Sequence, residues 1–77
     1  MTENVHNRRI LIVDDESLAR QRLRRFIAEA GPDVIIAEAD GGLNAVAAIR
    51  DFRPEILFLD VEMPGLNGFE VLAQFET

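Results

Sequence analysis

Three short runs of bulky apolar residues, each closed by acid, limit what this chain can become: Ile10-Leu11-Ile12-Val13, Val34-Ile35-Ile36-Ala37 and Ile56-Leu57-Phe58-Leu59. None alternates with polar residues, so each reads as a strand buried on both faces. Between and after them the apolar period changes to three and four residues. Leu18, Leu23, Phe26, Ile27 and Ala30 mark a first helix, Leu43, Val46, Ala47 and Ile49 a second, and Leu66, Phe69, Val71, Leu72 and Phe75 a third. Strand and helix thus alternate, and alternation specifies a parallel sheet. The expected bounds are β1 9–14, α1 17–30, β2 33–38, α2 42–52, β3 55–60 and α3 66–76, after a flexible lead over residues 1–8.

The connections agree with that reading. Gly31-Pro32 stops the first helix, with Gly31 expected to supply a left-handed cap and Pro32 unable to continue the helix. Gly41-Gly42 turns the chain into the second helix, which ends before Arg53-Pro54. Strands apolar on both faces need helices on both sides, and right-handed crossovers then place β1 between its neighbours, in the order 2-1-3. The fold class is α/β, a three-layer αβα sandwich. The crevice at the carboxyl ends of β1 and β3 is where connections leave in opposite directions, the usual ligand position in such sheets. Asp14, Asp15 and Asp60 all fall there.

Composition narrows the chemistry. There is no Cys, so a 77-residue chain with little core must rely on packing, a second chain or an oxygen-liganded metal. A net charge of −6 argues against general nucleic-acid affinity. Every cation is Arg, and Arg20, Arg22, Arg24 and Arg25 crowd into the first helix, as a solvated face or a surface for an acidic partner. No apolar run could cross a bilayer and the first residues lack a signal-like core, so a cytoplasmic protein without membrane contact is expected.

Carboxylates gathered at neighbouring strand ends repel one another, and a divalent cation removes the conflict. A few carboxylate and carbonyl oxygens, with room left for water and a phosphate, suit Mg²⁺ better than Ca²⁺. A carboxylate beside such an ion can attack a phosphoryl group and become an acyl phosphate. Asp14 and Asp15 as caps of the first helix would account for either one alone. Capping does not account for acid at both strand ends.

Ile10-Leu11-Ile12-Val13-Asp14-Asp15-Glu16, taken with Leu59-Asp60-Val61-Glu62-Met63-Pro64-Gly65-Leu66-Asn67-Gly68, resembles the receiver domain of two-component response regulators, a flavodoxin-like fold. The resemblance implies that Asp60 accepts a phosphoryl group from a sensor histidine kinase. It implies that Asp15 binds Mg²⁺ with Asp14 assisting, and that Asp60 and the backbone carbonyl of Glu62 complete the metal site. A phosphorelay protein, not an enzyme, is the expectation. The segment from Leu18-Ala19-Arg20 to Leu23-Arg24 is similar to transcription regulators with a LytTR-type output domain, and any DNA contact is expected only through such a domain.

The family's receiver has five strand–helix units, of which three are found here. Its Ser or Thr after the fourth strand and its Lys after the fifth have no counterpart, since the sequence contains no Lys. Residues 9–77 are therefore expected to form a truncated receiver, impaired in phosphoryl transfer and self-associating as a homodimer through the third strand or third helix. Two alternatives remain. A Mg²⁺-dependent phosphohydrolase of the haloacid-dehalogenase kind also uses a strand-end Asp, but needs a second Asp two residues on, where Glu62 stands. A purely structural oligomerisation unit would leave the acidic pocket vestigial.

Overall fold

The computed structural model describes residues 8–31 and 33–75. β1 (Arg8–Val13), α1 (Ser17–Ala30), β2 (Val34–Ala39), α2 (Gly42–Phe52), β3 (Ile56–Leu59) and α3 (Gly68–Ala73) follow in order. The strands form one parallel sheet ordered β2-β1-β3, as the crossover argument requires. Arg8 belongs to β1 and not to a lead, because its N–H donates to the Asp33 carbonyl at 3.1 Å. The rest of the expected lead lies outside the described residues.

β1 is the centre of the molecule. Leu11 and Val13 pack with Ala39, Ala45, Met63 and Val71 on the face covered by α2 and α3, while Ile10 and Ile12 pack with Ile27 of α1 on the other. None of these four strand residues is more than 4% exposed. Burial of each such side chain stabilises the fold by about 1.5–3 kcal/mol. The outer strands depart from the expectation of burial on both faces: Ile35 is 45% exposed, and Ile56 and Phe58 are each 39% exposed. Ile56 lies beside Ile10 and Phe58 beside Ile12, on the face that carries only α1, and α1 packs over β1 and β2. An apolar run identifies a strand without telling whether both its faces are covered.

The buried helix stripes are narrower than the apolar pattern. On α1, Leu23 and Ile27 turn inward, while Leu18, Phe26 and Ala30 face outward. On α2 the inward residues are Ala45, Val46, Ala48, Ile49 and Phe52, whereas Leu43 and Ala47 are exposed. The cause is Gly42, which lies so close to Leu66 that a Cβ would collide with the Leu66 carbonyl oxygen. With Gly42 inward, positions three, four and seven residues on follow it, and Leu43 is turned to solvent.

Helix ends also differ from expectation. Gly31 is extended (φ −170°, ψ 143°) and not left-handed, and its N–H donates to the Ile27 carbonyl at 3.3 Å. It precedes Pro32, and a residue before proline is pushed towards extended backbone. The left-handed cap occurs instead at Arg53 (φ 52°), beyond α2. There Arg9 Nε donates to the carbonyls of Phe52 and Arg53 at 3.1 and 2.9 Å, satisfying two groups that a helix end leaves open. α3 is shorter than 66–76. Asn67 Oδ1 accepts from the Glu70 N–H at 2.9 Å and Glu70 Oε1 accepts from the Asn67 N–H at 2.8 Å, a capping box that starts the helix at Gly68. It closes in tighter bonds from Gln74 and Phe75 to the carbonyls three residues back. Residue 76 of the expected helix lies outside the described residues.

Candidate functional site

Val13 and Leu59 are register partners, so β1 and β3 run out of the sheet side by side. The next residue on each strand is Asp. The Asp60 N–H donates to the Val13 carbonyl at 2.9 Å, and the Asp14 N–H donates to Ala39 of β2 at 3.2 Å. Sheet pairing thus fixes both backbones before any side chain is considered. Carboxylate oxygens of Asp14, Asp15 and Asp60 come within 4.8 Å of one another, with Asp14 and Asp60 half-buried and Asp15 exposed.

Local turns aim two of these acids. Asp14 Oδ1 accepts from the Glu16 N–H at 3.0 Å, and Asp60 Oδ1 accepts from the Glu62 N–H at 3.1 Å. Both are Asx turns, in which a carboxylate holds a backbone N–H two residues on. The N-cap residue of α1 is Glu16, without a side-chain capping bond, so neither Asp14 nor Asp15 serves as that cap. After Asp60 the chain folds back closely: the Gly68 N–H donates to the Val61 carbonyl at 3.1 Å, and a Cβ on Gly68 would stand 2.6 Å from the Asp60 carbonyl oxygen. A cleft of about 240 Å³, lined by Asp14, Asp60, Ile12, Leu23 and Phe58 among others, continues from the acids along the α1 face.

Among the described residues, no Arg forms an ion pair with the three acids. The nearby guanidiniums serve Glu38 instead: Arg20 Nε lies 2.9 Å and Arg24 Nε 2.6 Å from its carboxylate oxygens. The hydrogen bond from Arg24, with that from Arg20, holds the Glu38 carboxyl below its ordinary value against the opposing effect of burial. Among the described residues, then, no side-chain cation is paired with these carboxylates. Three convergent carboxylates with an open side are a donor set that fits a hard divalent cation.

The sequence pattern brought Asp14, Asp15 and Asp60 to one place, and they meet there. Glu62 is exposed and its N–H is bound to Asp60. Two residues of the site were not singled out by pattern. Gly68 appeared only as the last residue of the second motif, although Asn67-Gly68-Phe69-Glu70 has the spacing of a capping box. Arg20 appeared as one of a basic group and in the segment similar to LytTR-type regulators, without a role at the acids, yet its side chain is 16% exposed and it donates to the Asp14 carbonyl at 2.7 Å.

Fold and site together are those of an open parallel α/β domain with an acidic crevice at its strand ends, and sequence comparison gives the family. Residues 10–77 match the family model of the response regulator receiver domain. The chain belongs to that family. It is 38% identical over 68 residues to the transcriptional regulatory protein BtsR of Escherichia coli K12, covering 88% of this chain and 28% of that protein. It is 44% identical over 66 residues to the positive alginate biosynthesis regulatory protein of Pseudomonas aeruginosa, covering 84% of this chain and 27% of that one. Among solved structures, the response regulator domain of Thermotoga maritima CheB superposes with a TM-score of 0.78 at 37% identity, over 87% of this chain and 50% of that chain. A two-component transcriptional regulator AraC from Clostridium phytofermentans gives 0.77 at 38%, over 88% and 56%. The chain spans under a third of these curated relatives and about half of these solved chains.

Proposed function

We propose that this receiver domain takes a phosphoryl group onto Asp60 from a phosphohistidine of a sensor kinase, with Mg²⁺ held by Asp14, Asp15, Asp60 and the Glu62 carbonyl. The observation that carries the reading is the convergence of acids from two separate turns within 4.8 Å. One Asp60 oxygen is engaged by the Glu62 N–H. The other is left to attack phosphorus: an O–P bond forms as the N–P bond breaks, and the imidazole departs with the electron pair and takes a proton from water. When bound, Mg²⁺ offsets the charge that gathers on the transferred oxygens. Asp14 and Asp15 serve as ligands, and the Asx turns keep Asp14 and Asp60 aimed before the donor arrives.

On this reading the domain is labelled once per chain and does not turn over a substrate, which distinguishes it from a phosphohydrolase. The names of BtsR and of the Clostridium protein describe transcription regulators. By analogy the domain would govern transcription, with DNA contact left to an output domain of LytTR or another type. Among the described residues no helix is long and apolar enough to cross a membrane, in keeping with a partner of the cytoplasmic part of a kinase. These 77 residues contain no Lys, so none of them can bring a lysine ammonium to the phosphoryl oxygens. Among the described residues β3 pairs only with β1. That edge, with exposed Ile56 and Phe58 beside it and with Phe69 and Leu72 exposed on α3, supports homodimerisation through the third strand or helix.

Prolonged incubation with a small acyl-phosphate donor and Mg²⁺, read by intact mass, tests the assignment. One phosphoryl group per chain, lost on hydroxylamine treatment and absent from Asp60→Asn, is the expected result. Labelling that persists in Asp60→Asn, or no labelling of the unsubstituted protein, would overturn it.

A further inference from the structure

We infer that Arg20 is a positioning residue for the acidic cluster, fixing the peptide between Asp14 and Asp15 and with it the direction in which Asp15 offers its carboxylate. The inference rests on the reading of that cluster as a Mg²⁺ site. Arg20 Nη1 donates to the Asp14 carbonyl at 2.7 Å while its Nε donates to Glu38 Oε1 at 2.9 Å. A guanidinium is a rigid plane, so two partners at different nitrogens fix both its place and its tilt. The other Glu38 carboxylate oxygen accepts from Arg24 Nε at 2.6 Å, and Arg24 Nη2 reaches the Ile36 carbonyl at 3.2 Å.

The Asp14 carbonyl belongs to the planar unit whose other end is the Asp15 nitrogen. Its orientation decides where the Asp15 side chain points. Asp14 is thus held to β2 at both ends, at its N–H by Ala39 and at its carbonyl through Arg20 and Glu38. Asp15 needs this support more than the other two acids. Its carboxylate is exposed and accepts no hydrogen bond from the described residues, whereas Asp14 and Asp60 each hold a turn N–H.

Arg24 provides the control. It shares the bond to Glu38 and touches neither Asp14 nor Asp15. Mg²⁺ affinity measured by calorimetry on the unsubstituted protein, Arg20→Ala, Arg20→Lys and Arg24→Ala separates positioning from general stabilisation, with melting temperature read alongside. The expected result is that Arg20→Ala weakens Mg²⁺ binding about tenfold, the low end for groups that orient metal ligands. Arg24→Ala stays within about twofold of the unsubstituted protein, although both variants melt earlier. If Arg20→Ala does not fold, Arg20→Lys carries the same test: one ammonium cannot span both partners, and a loss of about threefold is expected. Equal affinity losses in the Arg20 and Arg24 variants, or no loss in any Arg20 variant, would overturn the inference and leave the phosphoacceptor reading standing. Failure of the unsubstituted protein to bind Mg²⁺ would overturn both.

Discussion

Glu38 couples the helix that bears half of the Arg residues to the sheet, and its charge makes that coupling depend on pH. Its carboxyl titrates lower in the folded chain than its ordinary 4.5 because Arg24 and Arg20 bond the ionised form. The unfolded chain therefore binds the proton first as pH falls. The contribution to stability is fully present above the ordinary value and is lost as pH falls through the lower folded one. Denaturation from neutral pH down to about pH 3 should show the unsubstituted protein losing more stability than Glu38→Gln below that ordinary value. Parallel curves would contradict it. Gly68→Ala tests a different residue: its Cβ would stand 2.6 Å from the Asp60 carbonyl, and such overpacking costs about 1–3 kcal/mol, read as a lower urea midpoint. The acids were legible in the sequence because a charged side chain directly after an apolar run marks the point where a buried strand leaves the core. Gly42, Gly68 and Arg20 were not. What each does is set by a neighbour brought in from elsewhere in the chain: Leu66 for Gly42, Asp60 for Gly68, Glu38 for Arg20.

Elements were legible in kind and order, and less so in extent. Unbroken apolar runs and a shift to helical period gave each strand and helix, but ends depend on caps that a hydrophobic pattern does not record. Leu66 extended the apparent stripe of α3 backwards, whereas the reciprocal bonds of Asn67 and Glu70 set its start. Replacing Asn67 by Ala should cost about 1 kcal/mol in a denaturant titration. Because α3 spans only Gly68–Ala73 and contributes the fully buried Val71 to the core shared with α2, loss of its cap should also loosen that face. An unchanged midpoint would mean that packing of Val71 alone holds the helix.

At the scale of the molecule, the order β2-β1-β3 followed from covering a doubly apolar central strand and from the hand of the crossovers. What could not be read was how unevenly the two faces are covered. α2 and α3 share one, α1 has the other, and Ile56 and Phe58 are left partly open there. Sedimentation of the 77-residue chain should show concentration-dependent dimers, and Phe58→Glu should shift it to monomer. A folded monomer at high micromolar concentration would remove self-association from the account.

On the proposed function, two turns that start from different strands grip one ion. Titrating Mg²⁺ while following backbone amide resonances tests that most directly. Amides of residues 14–16 and 60–62 should move together along one saturation curve, and Asp60→Asn should flatten the response of both segments. Movement of one turn without the other, or two unrelated curves, would contradict the shared site.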